Sequence, residues 1–86
     1  MGFWDGKKVL ITGHTGFKGV WLSELLMSRG AEVFGIALPP EDDDSLFVQL
    51  SLETRMPGRF LDIRDADSLD REIRSFSPDI VLHLAA

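Results

Sequence analysis

Two residue types that often carry chemistry are missing from this sequence. None of the 86 residues is cysteine, which excludes disulfide bonds, a thiolate nucleophile and a cysteine-ligated metal site. Tyrosine is absent as well. No apolar run approaches the ~20 residues that a membrane helix needs, and the first residues lack the basic region of a signal peptide. We therefore expect no membrane partner, and the lack of cysteine fits the cytoplasm.

Basic charge is also scarce. The chain has 9 Lys and Arg residues against 14 Asp and Glu residues, and its net charge is −5. The imbalance lies in residues 41–86, where five basic and eleven acidic side chains give −6, while residues 1–40 carry +1. Because a nucleic-acid backbone requires a basic surface, we expect no nucleic-acid partner. Apolar residues make up 44% and charged residues 27%, as in a small globular domain.

Short apolar runs alternate with amphipathic stretches along the chain. The runs predict four strands, at residues 8–12, 31–38, 59–62 and 80–86, and the stretches predict three helices, at residues 19–29, 45–52 and 65–76. Gly30, Ser45 (or Asp44) and Asp65 stand where helix caps are expected. A βαβαβαβ order implies a parallel sheet with helices on both faces. We predict the first half of a Rossmann-like three-layer α/β sandwich, with strand order 3-2-1-4.

The predicted fourth strand, residues 80–86, is the most hydrophobic segment of the sequence. In a doubly wound sheet it would lie beside the first strand, and no later strand or helix of these 86 residues would cover it. Because a bare apolar edge invites aggregation, we expect residues 1–86 to be the N-terminal part of a larger Rossmann domain. The alternative is a small domain that covers this edge by dimerisation.

A glycine-rich loop joins the predicted first strand to the first helix. Gly13, Gly16 and Gly19 recur with the spacing Gly-x-x-Gly-x-x-Gly. In a dinucleotide-binding loop the first glycine permits the tight turn, the second lets a pyrophosphate approach, and the third lets the helix pack against the strand. The N-terminus of the helix adds free N–H groups and a positive dipole end. The loop therefore predicts a phosphate site, and a plain strand-to-helix turn is the alternative.

Three motifs together resemble those of the extended short-chain dehydrogenase/reductases. They are the glycine loop, residues 62–65 (Asp-Ile-Arg-Asp) and residues 83–86 (His-Leu-Ala-Ala). The longer strings at residues 12–22 (Thr-Gly-His-Thr-Gly-Phe-Lys-Gly-Val-Trp-Leu) and 45–47 (Ser-Leu-Phe) resemble the start of the CDP-glucose 4,6-dehydratases within that family. The resemblance spans the whole chain, which matches only the first part of such an enzyme.

The resemblance implies that the chain binds NAD. The implied cofactor-binding residues are Gly13, His14, Thr15, Gly16, Phe17, Lys18, Gly19, Asp62, Ile63, Leu84, Ala85 and Ala86. The backbone N–H groups of Phe17 and Lys18 would donate to the pyrophosphate, and Asp62 would accept from the adenine amino group. The sequence allows two roles for each of two side chains. Lys18 is either a cation for the phosphates or a solvated lysine, and His14 either contacts the cofactor or stabilises the turn.

The end of the predicted second strand departs from the usual dinucleotide-binding pattern. An acidic residue ~20 residues past the glycines normally accepts from the ribose 2′-hydroxyl, and here Leu38, Pro39 and Pro40 stand at that place. Either Glu41 or Asp42 reaches back to accept from the 2′-hydroxyl, or the acidic run is only a solvated surface. No Lys or Arg occurs between residues 29 and 55 to bind a 2′-phosphate, which favours NAD over NADP.

Catalytic groups are not expected in these 86 residues. Family members catalyse with a Tyr-x-x-x-Lys pair, and a chain without tyrosine cannot supply its general base. His83, inside the apolar fourth strand, is expected to be packed and hydrogen-bonded rather than catalytic. Residues 84–86 have side chains that would leave room for the nicotinamide ribose. We assign no catalytic residue and no metal ligand.

The resemblance implies a function for the longer protein. The chain would be the NAD-binding portion of a dehydratase that converts CDP-D-glucose to CDP-4-keto-6-deoxy-D-glucose and water. Its substrate domain and its Tyr-Lys pair would lie outside these residues. NAD and CDP-glucose are the implied partners, and a homo-oligomer of the full-length enzyme stays open. The alternatives are a GDP-mannose dehydratase, a UDP-sugar epimerase and a non-catalytic nucleotide-binding fragment.

Overall fold

In the part of the chain that the structure describes, four parallel strands form one sheet, and helices cover both of its faces. The computed structural model describes residues 2–40 and 45–84. The strands are β1 (Lys8–Thr12), β2 (Glu32–Ala37), β3 (Gly58–Phe60) and β4 (Ile80–His83), and the helices are α1 (Phe17–Ser28), α2 (Leu46–Gln49), α3 (Leu52–Arg55) and α4 (Ala66–Phe76). The strand order β3-β2-β1-β4 confirms the predicted sheet.

Strand β1 is a central strand of the sheet, between β2 and β4, because its apolar side chains must be buried on both faces. Val9, Leu10 and Ile11 are fully buried, and successive side chains of a strand point to opposite faces. On one face Val9 and Ile11 belong to a core cluster with residues of α1, α2 and α3. On the other face Phe34 of β2 contacts Phe76 of α4, with ring centroids 5.2 Å apart.

The predicted helix caps are present. Gly30 follows α1 with a φ of +88°, a left-handed conformation that glycine adopts without steric cost. The Ser45 hydroxyl accepts from the Val48 N–H at 3.3 Å and caps α2. The Asp65 carboxylate accepts from the Ser68 N–H at 3.2 Å and caps α4. The Ser45 and Asp65 side chains each accept from a backbone N–H that has no acceptor within its helix, and Gly30 lets the chain reverse direction after α1.

The prediction of one helix over residues 45–52 is wrong. Two short helices, α2 and α3, meet at Ser51, whose φ of 51° is left-handed and interrupts the helical hydrogen-bond series. Helix α1 also begins earlier than predicted, at Phe17 instead of residue 19. Its N-cap is Gly16, which has an extended backbone, so the turn of the glycine loop is complete two residues sooner.

Three strands are shorter than the apolar runs that predicted them, and the first of these, β2, covers Glu32–Ala37 instead of residues 31–38. β3 ends at Phe60, which pairs with Ala37 at the end of β2, and β4 ends at His83, which pairs with Thr12 at the end of β1. Each strand stops where its neighbour stops, because no ladder partner remains beyond that point. The last two residues of the predicted fourth strand, Ala85 and Ala86, lie outside the described residues.

Strand β4 is an edge of the described sheet. Val81 is 49% exposed, and β4 pairs with β1. His83 is hydrogen-bonded as predicted, with its Nδ1 2.7 Å from the Thr12 hydroxyl, but it is exposed and not packed in a core. The burial expected for His83 is therefore wrong, because β4 is flanked on one side only. None of the helices in the described ranges is long and apolar enough to cross a membrane.

Candidate functional site

An open cleft of about 610 Å³ lies at the carboxyl ends of all four strands. The glycine loop, the end of β2, the segment after β3 and the residue after β4 form its walls. The lining residues are Gly13, Thr15, Gly16, Ala37, Leu38, Leu61, Asp62, Ile63, Arg64 and Leu84. This volume suits a small ligand, and in doubly wound sheets ligands bind at this edge, where the crossovers from the central strands diverge.

The cleft brings together half of the residues that the sequence predicts as cofactor-binding. Those that line it are Gly13, Thr15, Gly16, Asp62, Ile63 and Leu84. They come from three separate loops, and they meet because parallel strands end at the same edge of a sheet. The sequence motifs are therefore neighbours in space, as the resemblance implies.

Hydrogen bonds hold the glycine loop against the end of β2. Gly13 has a φ of +86°, and its N–H donates to the Ile36 carbonyl at 2.8 Å. The Gly16 N–H donates back to the Gly13 carbonyl at 3.2 Å, which closes the turn. The Thr15 hydroxyl donates to the Leu38 carbonyl at 3.0 Å. The loop is thus tied to its neighbouring strand at both of its ends.

Gly16 and Gly19 lack a side chain for different reasons. Gly19 is buried, and a Cβ there would overlap the Gly13 carbonyl oxygen and lie 2.8 Å from the His14 Cα. Gly16 is exposed, and a Cβ there would meet only the Gly13 carbonyl oxygen, at an ordinary 3.5 Å. The fold therefore needs glycine at position 19. At position 16 no neighbouring atom requires glycine, and the residue lines the cleft.

The N-terminus of α1 is suited to an anion. No side chain caps it, and its first turn contains no acidic residue. The first intrahelical hydrogen bond of α1 runs from the Val20 N–H to the Gly16 carbonyl at 2.9 Å, so the N–H groups of Phe17 and Lys18 precede the first donor and have no acceptor within the helix. These two donors and the positive dipole end follow directly on Gly16, which lines the cleft.

Asp62 and Arg64 form an ion pair in the cleft lining. The Arg64 Nη2 lies 2.6 Å from the Asp62 Oδ2, and the Arg64 backbone N–H donates to the Asp62 Oδ1 at 2.9 Å. The guanidinium lowers the pKa of Asp62 to about 2, so the carboxylate is ionised at neutral pH. The Arg64 Nε also lies 3.0 Å from both carboxylate oxygens, so Arg64 already uses the about four acceptor sites of the carboxylate, and an additional donor would have to displace part of this pair. Sequence reasoning missed Arg64, although a cation two residues after the aspartate was a visible signal.

Other predicted residues have side chains that do not line the cleft. Phe17 and Lys18 line a separate hollow on the outer face of α1, together with Trp21, Leu22 and Leu25. The imidazole of His14 is buried on the opposite side of the loop, against β2 and β3. Gly19 lies beneath the loop, and Ala85 and Ala86 are outside the described residues. Within the described ranges no group of three or more His, Asp or Glu residues could hold a metal ion.

Comparison with known proteins identifies relatives of this chain. A CDP-glucose 4,6-dehydratase from Salmonella typhimurium is 49% identical to this chain over 98% of the chain and 23% of the enzyme's own length. That identity confirms the resemblance inferred from the motifs. The chain spans about a quarter of the length of the curated relatives it matches.

Solved structures share the fold. The Bordetella bronchiseptica enzyme WbmG in complex with NAD superimposes with a TM-score of 0.78 at 29% identity, over 95% of this chain and 26% of that one. A Thermus thermophilus UDP-glucose 4-epimerase in complex with NAD gives a TM-score of 0.72 at 33% identity, over 92% and 24%. The family model described as GDP-mannose 4,6 dehydratase matches residues 10–86, and the chain belongs to that family.

Proposed function

We propose that this chain is the amino-terminal, NAD-binding portion of a nucleotide-sugar 4,6-dehydratase that acts on CDP-D-glucose. The observation that carries the proposal is the cleft at the carboxyl edge of the sheet. One wall is the glycine loop, which leads into the N-terminus of α1, and another wall holds the ionised carboxylate of Asp62. The NAD-bound structures of similar fold support the choice of cofactor, and the 49% identity supports the choice of sugar nucleotide.

The residues of the cleft fit a dinucleotide. The open face of Gly16 and the N–H groups of Phe17 and Lys18 would hold the pyrophosphate. Asp62 would accept from the adenine amino group, with Ile63 beside it in the lining. Leu84 would lie toward the nicotinamide end. These roles use residues from both sides of β1, which is the usual arrangement at a switch point.

The proposed reaction gives this chain a binding role. When bound, NAD would supply the reversible hydride transfer that accompanies loss of water across C5–C6 of the sugar, from C4 at the start and to C6 at the end. The chain holds and orients that cofactor. The general base comes from elsewhere in the proposed enzyme, because these 86 residues include no tyrosine. We also propose that the enzyme is a cytoplasmic lyase.

Product mass separates the candidate activities. The full-length protein is incubated with NAD and, in separate reactions, with CDP-glucose, GDP-mannose or UDP-glucose. A 4,6-dehydratase yields a sugar nucleotide lighter by one water, whereas a 4-epimerase yields an isomer of unchanged mass. Loss of water from CDP-glucose alone supports the proposal, and loss of water from GDP-mannose alone contradicts the choice of substrate.

Cofactor binding by the 86-residue chain is a separate measurement. Calorimetry with NAD, with circular dichroism to follow folding, tests whether this portion is self-sufficient. Saturable NAD binding by the 86-residue chain, together with a full-length protein that converts none of the three sugar nucleotides, would favour a non-catalytic nucleotide-binding role. A folded full-length protein that binds no NAD would refute the proposed function.

A further inference from the structure

His14 occupies a slot that two glycines leave open. The residue belongs to the glycine loop, and its side chain is only 2% exposed. Gly35 of β2 and Gly58 of β3 are paired in the sheet. A Cβ on Gly35 would overlap the His14 imidazole, and a Cβ on Gly58 would lie 3.1 Å from its Nε2. The ring therefore lies on a patch of the sheet where two neighbouring strands carry no side chain.

Two aromatic rings close this slot. Phe47 of α2 meets the imidazole edge to face, with centroids 5.4 Å apart and an interplanar angle of 81°. Phe60 at the end of β3 is nearly parallel to it, at 6.2 Å and 19°. The loop is thereby joined to β2, β3 and α2, and close packing on several sides fixes the position of a side chain.

The imidazole contributes shape rather than charge. Burial lowers the pKa of His14 to about 4 and outweighs the opposing effect of the Ile36 carbonyl. The ring is therefore neutral at physiological pH. Its Nδ1 has no hydrogen-bond partner among the residues that the structure describes. Such a buried polar atom costs stability, so fold stability alone does not explain a histidine at this position.

The loop that His14 anchors is the loop that forms a wall of the cleft. Gly13 and Gly16, on either side of His14, both line the cleft. We propose that His14 is a positioning residue, whose imidazole locks the glycine loop to β2 and β3 and so sets where the N–H groups of α1 meet the phosphates. The inference rests on the proposed NAD-binding role of the cleft. It assigns the histidine to neither a cofactor contact nor a merely local turn.

A set of variants in the full-length protein tests this role. His14→Ala removes the anchor, and Gly35→Ala expels it from the slot. The double variant fills the vacated slot with a methyl group and relieves the overlap. The dissociation constant for NAD is measured by calorimetry, and the melting temperature by circular dichroism. Val33→Ala, which opens a cavity in the same strand away from the loop, is the control for a general loss of stability.

The double variant separates positioning from stability. We expect both single variants to bind NAD about tenfold more weakly or worse, because small displacements of binding groups are costly. The double variant should melt higher than Gly35→Ala and still bind NAD weakly. A purely structural histidine predicts that NAD affinity recovers with the melting temperature. The inference is refuted if affinity recovers in this way, if His14→Ala binds NAD as the wild type does, or if Val33→Ala weakens NAD binding as much as His14→Ala does.

Hydrogen exchange gives a readout that does not depend on NAD. In His14→Ala the amides of Gly16 and Val20, which are hydrogen-bonded within the loop and the first turn, should exchange about tenfold faster. The Leu69 amide in α4 should be unchanged and serves as the internal reference. Unchanged exchange at the loop would overturn the anchoring role even if NAD binds. Faster exchange in a protein that binds no NAD would keep the anchor and refute only the proposed function.

Discussion

Substituting alanine at Gly19 or at Gly16 should produce opposite defects. In Gly19→Ala the new methyl group would overlap the Gly13 carbonyl oxygen and lie 2.8 Å from the His14 Cα. Both atoms belong to the backbone and cannot rotate away. Overpacking of this kind costs about 1–3 kcal/mol, and the helix propensity of alanine returns at most about 1 kcal/mol. We expect Gly19→Ala to lower the free energy of unfolding by about 1–2 kcal/mol.

Gly16→Ala has little to lose in the fold. Its φ of −79° and ψ of 166° are open to alanine, and the nearest atom would be 3.5 Å away. Weaker N-capping costs a fraction of a kcal/mol, and the reduced freedom of the unfolded chain returns about as much. Gly16 lines the cleft, and under the proposed function a methyl group there would crowd the pyrophosphate. We expect unchanged stability and at least about tenfold weaker NAD binding, equivalent to about 1.4 kcal/mol.

Urea unfolding and NAD calorimetry on both variants check this pair. Glycine is needed for packing at position 19 and for the ligand at position 16, so each variant is the control of the other. Equal loss of stability in both would show that a methyl group at position 16 meets more than the Gly13 carbonyl oxygen. Wild-type NAD affinity in Gly16→Ala would show that the phosphates do not approach this glycine.

Three further predictions concern charged groups. Because the pKa of His14 is lowered from 6.5 to about 4, the unfolded chain binds a proton that the folded chain excludes. The contribution of His14 to the free energy of unfolding should therefore be fully present above about pH 6.5 and fall by up to about 3 kcal/mol as the pH drops to 4. His14→Gln should flatten this decline in urea titrations. An unchanged decline would assign it to other groups. Asp62→Ala should weaken NAD binding, while Arg64→Ala, which frees the carboxylate, should not. Wild-type NAD affinity in Asp62→Ala would show that Asp62 serves only as the ion-pair partner of Arg64. Lys18→Ile should change neither the NAD dissociation constant nor its salt dependence, since Lys18 lines the outer hollow. A smaller salt dependence in this variant would show that Lys18 neutralises phosphate charge.

Local signals in the sequence were sufficient for the order of the elements and for most of the cleft. Apolar runs of strand length and caps such as Ser45 and Asp65 act within a few residues, so their effects can be read without the fold. The positions of Gly13, Gly16 and Asp62 follow from the same reasoning, because strand ends in a parallel sheet share one edge. The break at Ser51 was missed because a left-handed serine leaves no mark in the hydrophobic pattern.

The role of His14 could not be predicted for a different reason. Its environment is made by Gly35, Gly58, Phe47 and Phe60, which lie far from it in the chain and meet only in the folded sheet. An isolated histidine in a glycine loop is equally consistent with a ligand contact and with a turn. What distinguishes the two is the missing side chains on neighbouring strands, and those glycines gave no local signal that they belonged together.

Selectivity between NAD and NADP should depend on salt in this protein. The end of β2 carries Leu38, which is 59% exposed, followed by two prolines, and none of these side chains accepts from a ribose 2′-hydroxyl. Arg64, the cation in the cleft lining, is paired with Asp62. Rejection of a 2′-phosphate would then come from the excess of negative charge in residues 41–86.

Such a preference is Coulombic and long-ranged. It should weaken as the Debye length falls from roughly 30 Å at about 0.01 M salt to roughly 3 Å at about 1 M. Calorimetric dissociation constants for both dinucleotides across that range give the ratio directly. A side-chain acceptor for the 2′-hydroxyl would act at contact distance and leave the ratio nearly constant. A constant ratio would therefore contradict the charge argument and indicate an acceptor at the end of β2.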